Sequence, residues 1–290
     1  MPHLLKYVIV TPARNEAGFI EHTFHSIVGQ TALPSEWIIV NDGSTDETGL
    51  IIDRYSSQYP WIKSLHRENR GFRKAGGGVI EAFYDGYHNI SVADWNFLVK
   101  LDADLSFGDN YFEECLGKFE RNPKLGIGGG MIYHKGKDGL ELEENPLFHV
   151  RGATKIYRRP CWQAIGGLVA APGWDAIDEV KANMIGWETR SFAELMVIHH
   201  RYTGRADGRW RDAVKNGVAD YVAGYHPLFL AAKCMKRLVR KPYLVGSFGI
   251  MAGFLKGYLK RMPRVTDKDF IEYIRRQQIR RLTFRSTIWK

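Results

Sequence analysis

Short apolar runs that stop at polar clusters recur along the first part of the chain. Tyr7-Val8-Ile9-Val10 stops at Thr11-Pro12, Trp37-Ile38-Ile39-Val40 at Asn41-Asp42-Gly43-Ser44, and 95–101 at Asp102. Continuous apolar runs of this length, bounded by turn residues, predict strands buried on both faces. Ile62 to His66 is a further strand candidate. Between these runs apolar positions take helical spacing over 19–28, 45–56, 74–88 and 110–121, with Ser44 or Thr45 available to cap the second helix. Strand alternating with helix predicts an α/β fold built on a doubly wound, mostly parallel sheet. Ligands of such sheets bind outside the carboxyl ends of the strands, where Thr11–Glu16, Asn41–Asp46 and Asp102–Asp104 fall.

The pattern changes after Gly126. Segments 126–132 and 152–157 read as further strands around a charged loop, 135–144. Residues 175–185 read as a helix, and 199–211 as a polar stretch rich in His and Arg. The sequence thus suggests a catalytic domain over 1–215, with a nucleotide-side half to about 125 and an acceptor half over 126–215, followed by a mainly helical region, 216–290. Residues 243–255 are apolar but fall short of the ~20 residues a spanning helix needs. Flanked by Lys256, Lys260 and Arg261, they suit either a helix lying in a membrane interface or a helical hairpin packed on the catalytic domain.

The formal net charge of +9 fits an anionic partner, and the excess gathers from Lys233 onward. A nucleic-acid-binding module is the reading that charge alone invites. The acidic strand ends oppose it, since they repel a phosphate backbone, and no nucleic-acid-binding signature is present. Three widely spaced cysteines without a CxxC pair suggest neither a zinc site nor a disulfide framework; they fit a reducing compartment. The first twelve residues read as a first strand rather than a signal peptide.

Asp102-Ala103-Asp104 follows an apolar strand directly. Alternation sends residues i and i+2 to one side, so the two carboxylates can share a hard divalent cation together with phosphate oxygens. Such a cation would neutralise a departing diphosphate. Asp42, at a neighbouring strand end, can accept a hydrogen bond from a base N–H, and Thr11–Glu16 can line the same pocket.

Thr11-Pro12-Ala13-Arg14-Asn15-Glu16, then Gln30-Thr31 and Pro34, Val40-Asn41-Asp42-Gly43-Ser44-Thr45-Asp46 and Asp102-Ala103-Asp104, in this order, resemble the family 2 glycosyltransferases of GT-A fold over roughly the first two-thirds of the chain. The resemblance implies a nucleotide-sugar donor, Mg²⁺ or Mn²⁺, and inversion at the anomeric carbon. It places Asp42 on the base, with Thr11, Ala13, Arg14 and Glu16 along the nucleotide. Asp102, with Ala103 beside it, falls near the ribose or metal, and Asp104 becomes the direct metal ligand. Arg73 and Lys74 resemble the segment passing over the nucleotide, although a solvated basic loop explains them equally. Trp174-Asp175-Ala176-Ile177-Asp178-Glu179, ahead of Gly186-Trp187, resembles the family's acidic-pair motif. Asp175 then becomes the catalytic base and Asp178 its substitute, with Trp174 where the family usually has an acid. His199 and His200 match where GT-A enzymes often place a histidine metal ligand. Neighbours on a strand face opposite sides, so only one of the two reaches the ion.

The reaction expected is a metal-dependent, inverting transfer of a sugar from a nucleoside diphosphate, UDP first, to a glycan or lipid-linked acceptor. The setting expected is cytoplasmic, with peripheral contact to anionic membrane at its inner face. A polyprenyl-phosphate acceptor, which needs no base, is the alternative within the class. A nucleotidyltransferase is disfavoured because the loop after the first strand lacks a glycine-rich, basic character.

Overall fold

A computed structural model describes residues 5–72, 77–136, 139–201, 208–238 and 244–288. Its centre is a nine-stranded sheet. The first half is β1 (Tyr7–Ala13), β2 (Glu36–Asn41), β3 (Ile62–His66) and β4 (Phe97–Leu101). These strands lie in the order β3-β2-β1-β4 and are all parallel. The second half is mixed. β8 (Thr154–Arg158) runs antiparallel to both β4 and β6 (Leu125–Lys135); β9 (Glu188–His199) runs parallel to β6; and β5 (Leu105–Phe107) closes the far edge against β9. Within the stretch expected as a charged loop, a short strand, β7 (Leu140–Leu142), pairs with β6.

The apolar runs lack alternation because both faces of the sheet are covered. Tyr7, Ile9, Trp37, Ile39, Phe97 and Val99 enter one core. That core is shared with α1 (Ile20–Val28), α2 (Thr48–Gln58) and α4 (Tyr111–Arg121). Val8, Val10, Ile38, Val40 and Leu98 enter the other, with α3 (Gly78–His88), α5 (Arg159–Ile165) and part of α6 (Trp174–Met184). The strand parity that sorts these residues also sorts the site. Even-numbered positions of β4, Lys100 included, face α6, and odd-numbered positions of β1, Thr11 included, face the α1 core.

α7 (Arg209–Val222), α8 (Pro227–Leu238), α9 (Val245–Leu259) and α10 (Lys268–Leu282) form a helical layer with its own core. Ile177 and Val180 of α6 belong to that core, so α6 is shared between the sheet and the layer. α7 is continuous from Arg209, and the boundary read from the sequence at 215/216 falls inside it. α7 and α9 meet backbone to backbone: a Cβ on Gly253 would lie 2.0 Å from the Val214 carbonyl oxygen. Among the described residues no helix is long and apolar enough to cross a membrane.

Candidate active site

At the tip of β4, Asp102, Asp104 and His199 offer ligand atoms that all lie within 4.8 Å of one another. His199 Nε2 is 3.1 Å from Asp104 Oδ2, and both side chains are nearly buried. Burial alone would lower the imidazole pKa. The hydrogen bond to Asp104 and the charges of Asp104, Asp102 and Glu143 outweigh it and hold His199 above its ordinary range. Two carboxylates and an imidazole gathered this way are a donor set that suits a divalent cation. His200 faces elsewhere, as strand alternation requires. Its Nε2 meets Ser106 Oγ at 2.8 Å, its ring stacks on His22 at 4.0 Å, and burial followed by His22 and Lys135 lowers its pKa to about 4. The structure therefore brings His199, and not His200, to the acidic cluster. Ala103 is buried between the two aspartates.

Asp42, at the tip of β2, is almost buried and fully engaged. Arg70 grips it with two bonds, 2.8 and 2.7 Å, and Arg67 adds a third at 2.7 Å. Gly43, at φ 65°, lets the backbone of Asn69 press close: a Cβ there would lie 2.5 Å from the Asn69 Cα. Arg14 donates to the Asp42 carbonyl and to Asn69 Oδ1. The turn after β1 is tied to this tip, since Asn15 Oδ1 accepts from the Thr45 N–H at 2.8 Å and the Glu16 N–H donates to Thr48 Oγ1 at 2.8 Å. Arg201, just beyond β9, closes the circuit: it pairs with Glu16 at 2.5 Å and reaches Asp104 at 3.8 Å. Asp42, Glu16, Arg201 and Asp104 thus form one continuous polar rim across the strand ends. Thr11 is turned away from it: its hydroxyl accepts from the Trp37 indole at 2.9 Å inside the core. Ala13 is likewise buried on that face. Arg73 and Lys74 lie outside the described residues.

α6 forms the third wall. Its Asp175 keeps 25% of its side chain exposed and stands 3.9 Å from Arg151. Burial would raise the Asp175 pKa, but His149, Lys155 and Arg151 together hold it below the ordinary value. Asp178 is 1% exposed and enclosed. It accepts from Lys155 at 2.8 and 2.9 Å and from the Tyr157 hydroxyl at 2.5 Å, so it has no face left for a substrate. Lys155 is also 2.9 Å from Glu179. Its pKa would fall by burial and instead rises, because Asp178, Glu179 and Asp175 surround it.

Several participants escaped the sequence reading. Lys100 donates to Asp102 and to the Gly152 carbonyl, and Lys155 stands directly opposite it across the β4–β8 ladder. Two like charges in that relation repel. Here the acids answer them, and the Trp174 ring lies 5.3 and 5.6 Å from the two ammonium groups. A Trp where a second acid was expected is thus accommodated as a cation–π partner. The signal was present: a lysine inside the apolar run Phe97-Leu98-Val99-Lys100-Leu101 shares the parity of Asp102. Arg67 carried none, since it acts only through the distant Asp42 and Asp85.

Sheet order, the site at the strand tips and the helix-borne acid together define a GT-A fold. Solved structures agree. A mannosyltransferase from Pyrobaculum calidifontis, in complex with GDP-Man and Mn²⁺, superposes with a TM-score of 0.59 at 17% identity, covering 88% of each chain. Residues 1–349 of TarS from S. aureus, in complex with UDP-GlcNAc, give 0.55 at 16% identity, covering 94% of this chain and 83% of that one. The model of glycosyl transferase family 2 matches residues 8–165. The chain belongs to that family. Among relatives, the glycosyltransferase GlyA of Streptococcus pneumoniae is 28% identical over 152 residues, 48% of this chain and 21% of its own length. The chondroitin synthase of Pasteurella multocida is 29% identical over 117 residues, 40% of this chain and 11% of its own. The chain therefore spans less than half the length of these relatives.

Proposed function

We propose that the protein transfers a hexosyl group, with inversion, from a nucleoside-diphosphate sugar to a hydroxyl of a glycan or lipid-linked acceptor. The observation that carries the reading is the gathering of Asp102, Asp104 and His199 on a polar rim that continues to Asp42. Asp104 and His199, with Asp102 beside them, would hold the divalent cation, Mn²⁺ or Mg²⁺, whose chemistry is to neutralise the diphosphate. Asp42, with Arg67 and Arg70, forms the base side of the pocket, and Arg14 and Glu16 its border. Asp175 takes the acceptor proton as the acceptor oxygen bonds to the anomeric carbon. The bond from that carbon to the diphosphate breaks, and the nucleoside diphosphate leaves with the electron pair. Its partial exposure leaves the Asp175 carboxylate open to an acceptor hydroxyl, while the pKa that His149, Lys155 and Arg151 hold down is the reverse of the raised value that strengthens a general base. Free, buried Cys115, Cys161 and Cys234 support a reducing, cytoplasmic setting.

A thermal-shift series with UDP, GDP and ADP, each with and without Mn²⁺, tests the reading. A ligand that binds only the folded state stabilises it by about 2.7 kcal/mol at a hundredfold excess over Kd. One nucleoside diphosphate should raise the melting temperature by several degrees, and only with the metal. The reading fails if none does, or if His199→Ala leaves the metal-dependent part intact. His200→Ala should preserve it.

A further inference from the structure

We infer that the outer face of α8 and α9 docks on an anionic lipid bilayer, with the helices lying in its interface. Several observations converge on this face. From Tyr221 to Thr266 the sequence holds nine Lys or Arg and no Asp or Glu. Within that stretch Lys236, Arg237, Lys256, Lys260, Arg261 and Arg264 are exposed. The same stretch exposes large apolar side chains: Leu228 at 64%, Met235 at 64%, Phe248 at 59%, Leu255 at 51% and Leu259 at 85%. Their placement is ordered. Phe248, Leu255 and Leu259 recur at helical spacing on one side of α9, and Ile250, Gly253, Phe254 and Gly257 bury the other against α7. Ser247 Oγ bonds the Cys234 carbonyl at 2.8 Å, so the residues that follow each, Phe248 and Met235, emerge together from the joined helices.

The close α7–α9 seat holds α9 on the catalytic body with its apolar face outward. Water is a poor solvent for that face. A second copy of the chain is a poor partner, because it would press two basic rims together. A leaflet with anionic headgroups satisfies both features: apolar side chains enter the headgroup–acyl boundary, while lysine and arginine stems extend to the phosphates. Neither helix is long and apolar enough to insert across it. This inference is independent of the transfer chemistry, and its readout is binding alone.

The test is co-sedimentation of the full chain with vesicles of phosphatidylcholine, alone or in equimolar mixture with phosphatidylglycerol. Binding to the mixed vesicles is expected, weakening with added salt and absent or far weaker on phosphatidylcholine alone. Lys256→Gln with Lys260→Gln should weaken it about five-fold per charge removed. Phe248→Ser with Leu255→Ser should lose it while retaining every charge. Both pairs are exposed, so an unchanged melting temperature certifies the fold. No binding to mixed vesicles at low salt overturns the proposal. Wild-type binding by the Phe248→Ser, Leu255→Ser protein overturns it too, by reducing the effect to net charge. Sedimentation velocity that shows dimers lost in this variant would assign the face to a second copy instead.

Discussion

Asp175 keeps a quarter of its side chain in solvent, while Asp178, less than one helical turn further on, keeps 1%. Exposure divides their duties. Asp178 compensates the buried Lys155 ammonium, and a substrate hydroxyl cannot approach it. Asp178→Asn should therefore act on folding: breaking a buried ion pair destabilises by about 3 kcal/mol or more, and Glu179 compensates only part of that loss. Asp175→Asn leaves Lys155 its direct bonds to Asp178, so it should lower the melting temperature far less than Asp178→Asn does, and lower kcat about 10²–10⁴-fold, the usual contribution of a general base. Denaturant melts beside initial rates for the two variants check the division. Near-normal turnover by Asp175→Asn would instead favour an acceptor that is already a phosphate. Spacing from Gly186-Trp187 singled out Asp175 in the sequence. It left Asp178 eligible because burial of one acid on a helix is decided by what packs on it, here β8.

At the scale of elements, α6 is clamped to the loop before β8 by Glu179, which accepts from the His149 ring at 2.8 Å and from the Val150 N–H at 2.7 Å. Burial would lower the His149 pKa, but Glu179, and more weakly Asp175, raise it above its ordinary value. A raised folded-state pKa contributes stability that is complete below the unfolded value of about 6.5 and fades as pH rises through the folded one. The melting-temperature gap between wild type and His149→Asn should thus be widest below about pH 6 and shrink in alkaline buffer. A gap that grows with pH would refute the clamp. The first four strands were legible because both-face burial writes itself as continuous apolar runs. β5 and β7, of three residues each, exist only through pairing with β9 and β6, which no local pattern records. Parity within the strands was legible too. It would have turned Thr11 into the core and joined Lys100 to Asp102.

Across the whole molecule, the boundary read from the sequence at 215/216 does not divide the packing. Ile177 and Val180 of α6 are buried in the same core as Val218, Tyr221, Ile250 and Phe270, and Ala219 packs 3.0 Å from where a Cβ on Gly173 would stand. The helical layer therefore backs the wall that carries Asp175. A chain ended after residue 208 would expose two aliphatic side chains of α6, each worth about 1.5–3 kcal/mol of burial. It would also loosen α6, whose Asp178 and Glu179 enclose the buried Lys155. The cores around β1–β4 and α1–α4 would remain, and with them the strand tips that carry Asp42 and Asp104. Such a chain should still show a nucleoside-diphosphate shift with Mn²⁺ while its transfer rate falls at least as far as that of Asp175→Asn. Isothermal titration beside a transfer assay separates the two. Full transfer by the shortened chain would mean that α6 needs no support from the layer, and loss of nucleotide binding as well would mean that the layer supports the sheet itself.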